Sequence, residues 1–345
     1  MDFRLQKKLP VMKHIKKMIG SLLLLAISIS SCNSQPSQIQ TPTDTLPIHI
    51  QRFDKALLQF IETQDTALEQ ELLKEYPAML EITGKGILNL QSPAVPGFFD
   101  QLVSYYSEPT LKNLYEDAVH EYQDVSDIEN QLGKGFAFLK ANFPDMQVPA
   151  CYMHVSGFNQ NVLAADSLLS LSIDKYMGEA YPLYQDFFYD YQRIKMQRPL
   201  VAADYLAGWL MSEYPFEGNE NVLLDRMIYE GKIKYIVYLA LPEITPAQLM
   251  GYKEKDYAWC TANELTLWNT IIQRKHLYTP DQLTTSKYLD DKPCTFLSDE
   301  TPGNIGTWIG WQIVSSYMKE NNVSLQTLMQ QQNAQELLSQ AKYKP

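Results

Sequence analysis

The chain has no two histidines close enough to share a helix face, no Cys-x-x-Cys, no internal repeat and no apolar run long enough to span a bilayer. Each absence removes a class of function. Beyond residue 31 the only histidines are His49, His120, His154 and His276. They are too scattered for the i, i+4 pair with which a zinc peptidase grips its metal. Neither a metal nor a cofactor is therefore expected. The four cysteines, Cys32, Cys151, Cys260 and Cys294, form no redox or zinc-knuckle motif. The last three allow at most one disulfide, in three possible pairings, and a small buried hydrophobe is the expectation for each. Basic charge is also scarce, with 29 Lys and Arg against 40 Asp and Glu, a net −11. Nucleic acid and anionic lipid are poor partners for such a surface.

What is present begins with an address. Lys13, Lys16 and Lys17, the apolar run 18–29 and the small residues Ser30 and Ser31 stand immediately before Cys32, with Met12 the expected start. A membrane-spanning helix needs roughly 20 apolar residues, and this run is shorter and rich in serine. Residues 1–31 therefore read as a lipoprotein signal peptide, cut so that Cys32 is acylated and anchors the chain in a membrane. The removed segment carries six bases and one acid, which leaves 23 bases against 39 acids, or −16. Residues 32–46, rich in Ser, Gln, Pro and Thr, are expected as a flexible tether. Asp44-Thr45-Leu46 within it matches a short O-glycosylation pattern. Asn33-Ser34-Gln35-Pro36 lacks an acidic export tag, so a periplasm-facing lipoprotein at the outer membrane is expected. Residues 47–345 contain no long linker and are expected as one domain.

Periodicity predicts a short strand near 48–53, then helices over 54–61, 65–75, 96–106, 109–122 and 126–142. Three short strands follow at 148–155, 161–165 and 168–173. Helical spacing resumes over 181–196, 202–211, 221–239, 263–274, 305–318 and 324–341. The fold class is α+β, predominantly helical with a small mixed sheet.

Two segments behind the strands bear on chemistry. A zincin carries HExxH on a helix and, in one group, a second glutamate on the next helix as third ligand. Here the corresponding frame reads Ala203-Asp204-Tyr205-Leu206-Ala207, and Tyr229-Glu230-Gly231 follows. Alanine occupies both histidine positions, aspartate replaces the general base, and Glu230 stands at the third-ligand position. A degenerate, zincin-like metallopeptidase core without catalysis is expected. The alternative is a metal-independent hydrolase or peptide-binding protein using Asp204 and Glu230. Asp204, Glu230 and Glu264 on apolar helices call for partners such as Lys175, Arg193 or Arg226. His154 beside Ser156 lacks a Gly-x-Ser-x-Gly turn and reads as a strand-end histidine. The aromatic run 181–191 reads as core with an amphipathic rim, and Gly303-Asn304-Ile305-Gly306 as a turn opening a helix.

Arg52-Phe53-Asp54-Lys55-Ala56-Leu57, Leu114-Tyr115-Glu116-Asp117-Ala118, Ser156-Gly157-Phe158-Asn159, Ile173-Asp174-Lys175-Tyr176-Met177-Gly178 and Arg226-Met227-Ile228-Tyr229-Glu230-Gly231-Lys232 resemble the gliding-motility lipoprotein GldB family of Bacteroidetes. Trp259-Cys260, Asn263-Glu264, Ile309-Gly310-Trp311-Gln312 and the final Lys342-Tyr343-Lys344-Pro345 extend the resemblance across the chain beyond Cys32. It implies a cell-envelope lipoprotein whose partners are envelope proteins of a motility or type IX secretion machine, with no established enzymatic activity.

Overall fold

The computed structural model describes residues 38–89, 92–165 and 167–345. Cys32, the signal segment and the first residues of the tether lie outside them. From Gln38 onward the chain is a single unit.

Strand β1 (Ile50–Gln51) leads into α1 (Phe53–Thr63), α2 (Thr66–Glu75), α3 (Pro77–Gly86), α4 (Phe98–Tyr106), α5 (Pro109–Glu121) and α6 (Ser126–Asn142). Strands β2 (Ala150–His154), β3 (Val162–Ala165) and β4 (Leu168–Ser172) follow. Next come two single-turn helices, α7 (Tyr184–Phe187) and α8 (Asp190–Arg193), and then α9 (Val201–Glu213) and α10 (Leu223–Ala240). The remainder is α11 (Pro246–Met250), α12 (Glu254–Ala262), α13 (Glu264–Gln273), α14 (Gln282–Leu289), α15 (Ile305–Asn321), α16 (Leu325–Gln330) and α17 (Ala334–Ala341).

The sheet runs β1-β2-β4-β3, with β1, β2 and β4 parallel and β3 antiparallel at the edge. It is the small mixed sheet the strand pattern predicts, and the α+β class holds. All five residues of β4 are buried, as a central strand requires, whereas β3 ends in two exposed alanines. Helix α9 packs beneath β3 and β4 and against α6. Its Gly208 lies so close that an added Cβ would come within 3.0 Å of Val162.

The largest helix contact pairs α10 with α15. A Cβ at Gly231 would sit 2.3 Å from the Gly310 carbonyl carbon, and one at Gly310 would sit 1.8 Å from the Met227 carbonyl oxygen. Only glycine lets the two backbones meet at that crossing. Arg52 and Asp54 are also structural. Asp54 is fully buried and paired with Arg52 at 2.5 Å, Arg52 donates to the Tyr122 carbonyl, and Tyr115 donates to the Asp54 carbonyl.

Three expectations change. The predicted helix over 181–196 is two four-residue helices, parted where Phe188 turns extended (φ −133°, ψ 139°). Its aromatics favour packing around Phe158, whose ring meets Tyr184, Phe187 and Phe188, over continuing a helix for which they have modest propensity. The helix over 324–341 breaks before Asn333, whose side chain accepts from Glu336 N and caps α17. The expected tether is docked over its second half. Gln40 and Asn142 exchange two hydrogen bonds of 2.9 and 2.8 Å, and Leu46 N donates to Gly133 O on α6. Helices α3, α11, α12 and α14 are not anticipated by the periodicity.

Candidate functional site

The parallel strands β2 and β4 finish side by side, and their ends bring His154, Ser156, Ser170, Ser172 and Asp174 together. Asp174 is fully buried. It accepts from Ser172 Oγ, from Ser156 N at 3.2 Å and from Phe158 N at 2.8 Å. These bonds hold Gly157 and Phe158 at φ +66°, a left-handed pair that needs fixing. Burial raises the Asp174 pKa, and the three donors act against that rise. The Ser156 and Ser172 hydroxyls lie 2.8 Å apart, and Gln160 N donates to Ser156 Oγ. His154 does not reach Ser156; its Nδ1 lies 2.8 Å from Ser170 Oγ, while Nε2 has no partner. Burial pushes its pKa down to about 3, so the ring is neutral. The pair assembles no activated nucleophile.

Beyond Asp174 the chain opens onto a cleft. Tyr176 donates to Asp204 Oδ2 on α9 at 2.6 Å. A small pocket is formed by Ala203, Asp204 and Ala207 with Lys195, Lys234 and Leu249. Beside it a cavity of about 170 Å³ contains Lys175, Tyr176, Phe188, Asp204 and Asp291. The largest cavity, about 490 Å³, opens between the 191–195 segment and the 250–259 and 291–304 segments. Lys195 borders all three, and its ion-pair partner Asp291 borders the two larger ones.

Two lysines here sit against their chemistry. Lys234, on the apolar helix α10, donates to the Leu249 carbonyl at 2.9 Å. Burial lowers its pKa, Asp204 and Glu230 oppose that, and Lys195 reinforces it. Lys175 is lowered by burial against the pull of Asp174, and its Nζ stands 5.1 Å from the Phe188 ring centroid.

The residues of the predicted frame are divided between places. Ala203, Asp204 and Ala207 do line one pocket, but Glu230 is not among its lining residues. Glu230 pairs with Arg226 one turn earlier at 3.2 Å. The two alanines offer no donor atom, and an ammonium group shares the field of the two carboxylates. Among the described residues no group of three or more His, Cys, Asp or Glu could hold a metal ion. A catalytic zinc does not fit this donor set. Gly231 after Glu230 is explained by the helix crossing. Of the three carboxylates expected to pair with a base, only Glu230 does; Asp204 takes Tyr176, and Glu264 accepts from Tyr343 at 2.7 Å. Cys151, Cys260 and Cys294 are buried free thiols.

Lys195, Lys234 and Asp291 escaped the sequence reading. A lysine within the apolar stretch of α10 was the available signal for Lys234; Lys195 and Asp291 meet across 96 residues and left none. Tyr191 and Phe188, read as core and rim, border cavities instead.

The family model described as gliding motility protein GldB matches residues 33–345. No curated protein matches the chain, and no solved structure does.

Proposed function

We propose that this chain, which belongs to the gliding motility protein GldB family, is a non-catalytic binding or scaffolding lipoprotein of the cell envelope. Acylated at Cys32 and facing the periplasm at the outer membrane, it holds components of a motility or secretion machine through its cleft. The core descends from a zincin. Support for that descent is the order of elements: a small mixed sheet, the α9 helix packed beneath its edge, and Glu230 on the next long helix.

One observation carries the reading. Where a peptidase would gather histidines, the pocket beneath β3 presents Ala203, Asp204 and Ala207 with Lys195 and Lys234. Positive charge is there already, supplied by side chains, and Asp204 is engaged as the acceptor of the Tyr176 hydroxyl. Burial raises the Tyr176 pKa far above its ordinary value, so it acts as a fixed donor. The site can bind and orient, and no histidine, cysteine or serine lines the pocket.

The test is a crosslinked pull-down from envelope membranes with the full, lipidated chain. Recovery of secretion or motility proteins is expected, and their absence overturns the scaffold. Metal analysis of the purified protein checks the other half, since stoichiometric zinc would overturn the pseudoenzyme. A Cys32→Ala form should lose lipid labelling and leave the membrane fraction.

A further inference from the structure

The largest cavity lies outside the degenerate frame, and its volume of about 490 Å³ falls in the ordinary range of ligand pockets. Its walls carry Asp256, Asp291, Asp299 and Glu300 against Lys195 and Lys255. Asp291 is already taken by Lys195. Among the described residues Asp256 and Asp299 have no ion-pair partner, and Glu300 accepts only the Trp259 indole N–H at 3.2 Å. Lys255, on the exposed side, is the sole base left to offset three carboxylates.

A second observation is independent of charge. Asn304, at the start of α15, is 8% exposed, and its carboxamide makes no hydrogen bond among the described residues. That amide borders the cavity, where it has both a donor and an acceptor to offer a ligand. Aromatic faces complete the wall. Tyr191 is stacked on Tyr189 with centroids 5.4 Å apart and planes 11° from parallel, and Trp259 stands on the opposite segment. The amino end of α15 pulls the other way, with about half a positive charge, which is less than the carboxylate excess.

Resting on the reading of this cleft as a binding site, we propose that the large cavity takes a basic side chain, arginine or lysine, presented by a polypeptide segment of a partner protein. Asp256, Asp299 and Glu300 receive the cation, Trp259 and Tyr191 pack its face or stem, and Asn304 bonds the neighbouring peptide group.

Isothermal titration of the full chain tests this with three probes: a blocked hexapeptide of glycines carrying one central arginine, the same peptide with glutamate, and free arginine. The arginine peptide is expected to bind at least tenfold more tightly than either other probe. The Asp299→Asn, Glu300→Gln double variant should weaken it at least tenfold, and the exposed Glu62→Gln control should not. Both altered positions are on the surface, and an unchanged melting temperature confirms the fold. Equal binding of the glutamate peptide, no binding of the arginine peptide, or indifference to the double variant overturns the proposal. Free arginine binding as tightly as the peptide would replace the polypeptide with a small cation. Failure here with envelope proteins still recovered by crosslinking removes this site alone. Peptide binding with none recovered removes the scaffold instead.

Discussion

The ends of β2 and β4 and the cleft beside them hold similar residues and use them in opposite ways. At the strand ends the carboxylate, both backbone donors and the serine hydroxyls are matched to one another and shut from water. In the cleft the side chains of Asn304, Asp256 and Asp299 have no partner among the described residues. A satisfied buried network fixes a conformation, whereas an unsatisfied one at a cavity wall awaits something from outside. The Ser156 neighbourhood, which looks chemical as sequence, belongs to the first kind, although His154 Nε2 beside it stays buried without a partner among the described residues.

Removing the centre of the closed network should have the largest effect. Asp174→Ala leaves Ser156 N and Phe158 N unpaired, and urea unfolding should show a loss of about 3 kcal/mol or more. A loss below about 1 kcal/mol would break the contrast.

His154 gives the next effect through pH. Its pKa falls from 6.5 to about 3 on folding, so its contribution is intact above pH 6.5 and is lost as acid protonates the unfolded chain first. Between pH 6.5 and about pH 4.5 this should cost about 2 kcal/mol. Asp174, with its pKa raised, works in the opposite direction, so the measurement is the difference between the natural chain and His154→Asn. The variant should show the shallower acid slope; parallel slopes would mean the ring is not held neutral.

In the open region the effects should be small. Asp204→Asn keeps an acceptor for Tyr176 and should cost about 1 kcal/mol or less by the same unfolding assay. Glu230→Gln removes one helical ion pair, worth about 0.5 kcal/mol, with zinc content unchanged. A collapse of folding in either would place it with the closed network.

The strands were legible because alternation and bounding turns mark them locally, and β2, β3 and β4 fall within the predicted segments. The long helices α6 and α10 were legible for the same reason. The aromatic segment 181–196 misled because its rings repeat at helical spacing while Tyr184, Phe187 and Phe188 gather on Phe158. Asp204 was picked out by position, and it lines a small pocket. The ion pair of Lys195 and Asp291 was not legible, since nothing near either residue records the other. Asn304 was seen as a turn and is one, with φ 54°, but its idle carboxamide becomes visible only when its surroundings are known.

The contact between Gly231 and Gly310 has a mechanical consequence. One helix carries Lys234 to the small pocket, the other begins beside Asn304 at the large cavity, and their backbones touch without side chains to act as cushions. The two members are riveted rather than hinged. The small pocket and the large cavity therefore keep a set spacing.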